Sequence, residues 1–201
     1  MNPAPVGVSN SLPPHGGNLS QEARRLGMKP SQLLDASASL VPFRPPRALR
    51  RALAVAIQGQ ALRDYPDRAQ ADFRSAIASW HGLDPDQVLG GNGAAELFTW
   101  AARDATAAGL NALPQPGFAD YSRALACWGG AIEELTLPLE WGDGWPQPFP
   151  LGALKATTDV VWITNPHNPT GQLWSRCSLE PLLARFALVI CDEAFLPLVP
   201  G

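Results

Sequence analysis

The chain has 201 residues, 46% of them hydrophobic and 16% charged, with a formal net charge of −3. That length suffices for a domain with a real core. So mild an acidic balance gives no support for a nucleic-acid or anionic-membrane partner.

Residues 1–14 are rich in Pro, Ser and Asn and are expected to be a disordered tail. His15-Gly-Gly-Asn18 follows as a loop, and Ser20 is placed to cap a short helix running to Gly27. Leu33–Ser39 reads as a short extended piece. Pro45 and Pro46 open a helix from Arg47 to Ile57, with Leu49, Leu53, Ala56 and Ile57 in one stripe. Tyr65-Pro-Asp67 breaks the chain before a helix from about Arg68 to Trp80, which carries Phe73, Ile77 and Trp80 on one face. Val88-Leu89 reads as a strand end, then Gly90-Gly-Asn-Gly93 leads into a helix over Ala94–Ala108. A strand at Leu110–Leu113, a helix reaching Trp128 and a strand near Ile132–Leu137 make a βαβ-like repeat, and residues 138–150 are loop.

The most informative stretch is Asp159–Phe195. Asp159–Ile163 and Leu188–Cys191 are short apolar runs of the kind buried in a parallel sheet. Leu179, Leu182, Leu183 and Phe186 mark one helix between them, over Ser178–Phe186. Strand, helix, strand is a βαβ unit, and open α/β sheets bind ligands at the carboxyl ends of their strands. Asn168, past the first strand, and Asp192, at the tip of the second, are therefore expected to face one crevice. The expected architecture is an α/β sheet domain from residue 68 onward, preceded by an arm.

Several chemistries are excluded by spacing. A dinucleotide fingerprint would need Gly at positions 91, 93 and 96, and position 96 is Glu. Leu188–Glu193 resembles the acidic strand of P-loop ATPases, but neither Lys29 nor Lys155 sits in the required Gly-rich loop. The histidines, His15, His81 and His167, have no metal-ligand spacing, and no Gly-x-Ser-x-Gly elbow is present. The three cysteines, Cys127, Cys177 and Cys191, are widely spaced, which fits a reduced, cytoplasmic protein. No signal peptide and no membrane-spanning stretch is expected.

Five motifs occur in one order: Tyr65-Pro-Asp67, Gly91-Asn-Gly-Ala-Ala-Glu96, Pro116-Gly-Phe118, Asn165-Pro-His-Asn-Pro-Thr-Gly171 and Asp192-Glu-Ala-Phe195. Together they resemble the fold-type-I pyridoxal-phosphate enzymes of the class I/II aminotransferase superfamily, within the branch of threonine-phosphate decarboxylase and histidinol-phosphate aminotransferase. The resemblance runs from His15 onward. It implies a mostly parallel sheet with helices on both faces, with residues 15–67 as N-terminal arm and part of the small domain and 68–201 as an incomplete cofactor-binding large domain.

The resemblance also implies roles. Asp192 would pair with the pyridine nitrogen of pyridoxal 5'-phosphate and Asn168 would hydrogen-bond its phenolic oxygen. Phe118 would stack on the ring, and Gly93 and Ala94 would hold the phosphate at a helix N-terminus. Tyr65 would reach the phosphate of a neighbouring subunit in a homodimer. His15 and Gly16 would touch the phosphate of a phosphorylated amino-acid substrate. The implied activity is decarboxylation of L-threonine O-3-phosphate to an aminopropanol phosphate in cobalamin synthesis. The alternatives are a histidinol-phosphate type aminotransferase and a catalytically inactive cofactor-binding remnant.

Three departures stand beside these roles. Ser37-Ala-Ser-Leu-Val-Pro42 replaces a more polar family motif, and Phe195 stands where aminotransferases carry a tyrosine. The Schiff-base lysine of the superfamily lies downstream of the Asp-Glu-Ala-Phe motif, and no lysine follows Asp192. The resemblance therefore puts that lysine beyond Gly201 and leaves these residues without a catalytic one. The 201 residues are accordingly expected to be the N-terminal part of a longer enzyme, inactive alone and prone to aggregate through open sheet edges.

Overall fold

The computed structural model describes residues 16–41, 43–140, 144–150, 152, 154–155 and 157–199. The chain divides into two compact units, one up to Arg68 and one from Ala69 onward.

The first unit holds α1 (Leu19–Leu26) and α2 (Arg47–Gln58). Asn18, not Ser20, caps α1, its side chain accepting from the Gln21 amide at 3.1 Å. Asn is as good a cap as Ser, and the Asn18 carbonyl already accepts the first intrahelical bonds. The α2 stripe is exposed, with Leu49, Leu53 and Ile57 all open to solvent.

The second unit is built on four parallel strands, β1 (Asn111–Gln115), β2 (Ile132–Thr136), β3 (Val160–Thr164) and β4 (Leu188–Asp192), in the order β2-β1-β3-β4. β3 is buried at every residue, as its unbroken apolar run predicts. Side chains alternate between two cores. Ala112, Val161 and Ile163 meet Leu182 and Phe186 on one face. Leu113, Val160 and Trp162 meet Ala102, Ala105, Ala124 and Leu125 on the other.

The helices of this unit are α3 (Ala71–His81), α4 (Ala94–Ala108), α5 (Asp120–Ala126), α6 (Arg176–Leu179) and α7 (Leu182–Arg185). The single helix expected over Ser178–Phe186 is thus two short pieces. Pro181 has no amide proton to continue the ladder, so the pattern breaks at Glu180-Pro181. Val88-Leu89 is extended but belongs to no strand. Its carbonyl partner is the Arg74 guanidinium, which donates to Val88 O at 3.0 Å and also holds Pro85 O. With no strand beside it among the described residues, the segment has no ladder to join.

Candidate functional site

The strand order locates the crevice. From β1 the chain passes through α5 to β2 on one side, and from β3 it passes through α6 and α7 to β4 on the other. The direction of winding reverses between β1 and β3, which is the switch point where loops at the carboxyl ends part. The loops that leave there are Pro116-Gly-Phe118 and Asn165–Gly171.

Strand alternation then fixes which way the tips face. Thr164 lies beside Asp192 in the β3–β4 register, and both share a face with Trp162 and Ile190. That is the face covered by α4 and α5. Asp192 Oδ2 accepts the Tyr121 hydroxyl at 2.7 Å and Oδ1 accepts the Ala194 amide at 3.0 Å. The Tyr121 hydroxyl also lies 2.7 Å from Thr164 Oγ1. Burial, with the Asp192 carboxylate beside it, pushes the Tyr121 phenol far above its ordinary range, so it stays a donor.

Phe118 joins the same cluster. Its ring lies 5.5 Å from that of Tyr121 and 6.3 Å from that of Phe98, both edge-on. Phe98 stands 5.1 Å from Tyr121 and one turn into α4 from Ala94. The aromatic cluster therefore draws the start of α4, Phe118 and Asp192 into one neighbourhood.

Asn168 sits in a loop fastened at several points. The Asn165 amide donates to Asp192 O at 2.8 Å, and Asn165 Oδ1 accepts the Trp174 amide at 2.8 Å. His167 Nε2 lies 2.8 Å from Pro116 O, which staples the two switch-point loops together. Burial lowers the His167 pKa, and because a carbonyl oxygen only accepts, the proton in this contact sits on Nε2. Asn168 is half-buried, and its side chain hydrogen-bonds no other described residue. Asn168 thus lies in the loop that leaves β3, Asp192 ends the neighbouring β4, and no hydrogen bond joins the two side chains.

The Gly90–Gly93 turn ends at Gly93, which caps α4 with φ 82°, and a Cβ there would meet open space. The first amides of α4 have no side-chain cap. Glu96 instead folds back, its Oε2 accepting the Asn92 amide at 2.6 Å and the Asn92 side chain at 3.0 Å.

In the first unit Tyr65 is fully exposed. His15 lies outside the described residues, and so does Gly201, the position beyond which the resemblance puts the Schiff-base lysine. Gly16 packs against the segment that follows α1, where a Cβ would fall 2.0 Å from Ser37 O. The Gly17 amide donates to Ser37 Oγ at 2.9 Å, and Ser37 Oγ donates to Asp35 at 2.6 Å. That bond lowers the Asp35 pKa.

The residues that sequence reasoning missed are Tyr121, Thr164 and His167. The first was visible as one of two aromatics past β1, but its spacing suited plain packing equally well. Lys155 Nζ pairs with Glu133 Oε1 of β2 at 2.8 Å, and Lys29 belongs to the first unit. Among the described residues no cluster of His, Cys, Asp and Glu could hold a metal ion.

Comparison with known proteins supplies the family. The model for "Aminotransferase class I and II" matches residues 31–201. A threonine-phosphate decarboxylase of Salmonella typhimurium is 35% identical over 92% of this chain and 51% of its own length. A histidinol-phosphate aminotransferase of Sinorhizobium fredii is 33% identical over 79% of this chain and 43% of its own. The solved N-succinyldiaminopimelate aminotransferase of Mycobacterium tuberculosis superposes with a TM-score of 0.70 at 27% identity, covering 87% of this chain and 48% of that one. The chain spans about half the length of the curated relatives it matches. Those relatives depend on pyridoxal 5'-phosphate. The chain belongs to the class I and II aminotransferase family.

Proposed function

We propose that this chain supplies the cofactor-gripping half of a pyridoxal-phosphate decarboxylase that acts on L-threonine O-3-phosphate. The observation that carries the reading is the Asp192 carboxylate at the tip of β4, held by Tyr121 and Ala194 beside the switch point. Likeness to the Salmonella decarboxylase supports the substrate.

The residues fit the cofactor. Asp192 keeps an acceptor position open on each oxygen, since a carboxylate takes about four hydrogen bonds and two are in use. Gly93 leaves open space at the start of α4, where uncapped amides and the helix dipole favour a phosphate. Phe118 offers a flat face and Asn168 an amide. Pyridoxal phosphate, when bound, supplies an electron sink for charge that develops at a substrate carbon.

The chain's own residues do the remaining work. Asp192 pairs with the ring nitrogen and holds a proton there. Asn168 donates to the phenolic oxygen, and Phe118 fixes the ring plane. Gly93 and Ala94 anchor the phosphate. Tyr65, fully exposed, reaches the phosphate of a second subunit in a homodimer. Gly16, with His15 before it, contacts the substrate phosphate. The lysine that anchors the cofactor lies in sequence beyond Gly201. The three free, exposed cysteines support a reduced, cytoplasmic setting, and among the described residues no helix is long and apolar enough to cross a membrane.

The experiment has two stages. The 201-residue chain should bind pyridoxal phosphate reversibly, with no borohydride-trapped adduct at Lys29 or Lys155. A longer product carrying the missing lysine should release CO2 from L-threonine O-3-phosphate without a 2-oxo acid. Consumption of a 2-oxo acid with histidinol phosphate would instead establish the aminotransferase reading, which the 33% identical relative favours. No binding by the chain and no turnover by the longer product would overturn both.

A further inference from the structure

The family likeness accounts for Asp192 but not for what holds it. Tyr121, on α5, is 3% exposed, and its ring is clamped by Trp162 at 5.2 Å, Phe98 at 5.1 Å and Phe118 at 5.5 Å. That packing would serve a phenylalanine equally well. The hydroxyl is therefore the unexplained part. It lies 2.7 Å from Asp192 Oδ2 and 2.7 Å from Thr164 Oγ1.

Donor counting orients this trio. An ionised carboxylate only accepts, so the single Tyr121 proton points at Asp192. The phenolic oxygen then accepts, and Thr164 must donate to it. Thr164 is itself 2% exposed, and no other described partner takes its hydroxyl. The result is a one-way chain, Thr164 to Tyr121 to Asp192, running from β3 through α5 to β4.

We propose that Tyr121 and Thr164 are positioning residues for the cofactor, which fix the Asp192 carboxylate so that its open lone pair meets the ring nitrogen. The inference rests on the pyridoxal-phosphate reading above. A carboxylate with one donor on each oxygen cannot rotate about its Cβ–Cγ bond without breaking a charge-assisted hydrogen bond. Ala194 supplies one of the two donors from the backbone. Tyr121 supplies the other, so the aim of Asp192 is set by the aromatic cluster as well as by its own strand. Thr164 acts only through Tyr121.

The test uses the 201-residue chain fused to a small soluble carrier, which counters aggregation through its open sheet edges, the variants Tyr121→Phe, Thr164→Val, Thr164→Ser, Asp192→Asn and the pair Y121F/T164V, with pyridoxal 5'-phosphate as probe. Without cofactor, proton NMR of the parent chain should show a slowly exchanging phenolic hydroxyl near the Thr164 methyl. It should vanish in Y121F and shift in T164V. In cofactor titrations Y121F should bind about tenfold more weakly, the loss expected for one hydrogen bond to a charged group. T164V should lose a smaller factor, T164S should keep parental affinity, and the pair should bind no worse than Y121F alone. Parental affinity in Y121F, with D192N impaired, would overturn the positioning role and leave the functional reading standing. Equal affinity of the parent and D192N would overturn that reading, and this inference with it. Multiplying losses in the pair would show that Thr164 acts independently, which also overturns the chain.

Discussion

Trp162→Phe should cost the second unit about 2–4 kcal/mol of stability. Trp162 is fully buried, and its indole N–H donates to Asn111 Oδ1 at 3.0 Å, with Asn111 itself fully buried. Phenylalanine keeps the apolar face but leaves that oxygen without a donor, a loss of about 1–3 kcal/mol. The smaller ring leaves a void of roughly 40 Å³, which at about 24 cal/mol per Å³ adds about 1 kcal/mol. Against a total stability of about 5–15 kcal/mol this is a large fraction. Urea unfolding followed by far-UV circular dichroism measures it without relying on the deleted indole. A second variant isolates the hydrogen bond. In an Asn111→Ala background Trp162→Phe should cost only the void, so the two changes should fall short of additivity by about 1–3 kcal/mol. A W162F loss below about 0.5 kcal/mol, or strict additivity with N111A, would refute the claim that this pair ties β1 to β3.

Three further outcomes follow from the same geometry. Burial depresses the His167 pKa, so protonation favours the unfolded chain. Its contribution is intact above the ordinary histidine range and is lost as pH falls below it, and His167→Gln should flatten that slope in denaturation midpoints taken across the range. Gly16→Ala places a Cβ 2.0 Å from the Ser37 carbonyl oxygen, so the loop must lift; NMR should then show the Gly17 amide freed from Ser37 Oγ. Gly93→Ala meets open space but forces an alanine to φ 82°. It should cost about 1–2 kcal/mol in thermal unfolding and weaken cofactor binding.

The parts of this molecule that could be read from residues alone are those where local pattern and tertiary context agree. Val160–Thr164 is a short apolar run covered on both faces, so pattern and burial coincide. α4 spans Ala94–Ala108 as expected, because a glycine stands at each end to open and close it. The misread elements are those decided by a distant partner. Val88-Leu89 looked like a strand end until Arg74 took its carbonyl. Helical spacing over Ser178–Phe186 outvoted Pro181, which the packed chain does not forgive. At the candidate site, Asp192, Phe118 and Asn168 could be proposed from residues alone because motifs carry them. Tyr121 and Thr164 were not, because their hydroxyls meet only after α5 folds over β3 and β4, and no spacing along the chain records that meeting.

The most direct measurement is a crystal structure of the chain soaked in pyridoxal 5'-phosphate. The ring nitrogen should lie about 2.8 Å from an Asp192 carboxylate oxygen, with Phe118 against the ring, Asn168 at the phenolic oxygen and the phosphate on the Gly93–Ala94 amides. A ring bound elsewhere, or one whose nitrogen faces away from Asp192, would contradict the account.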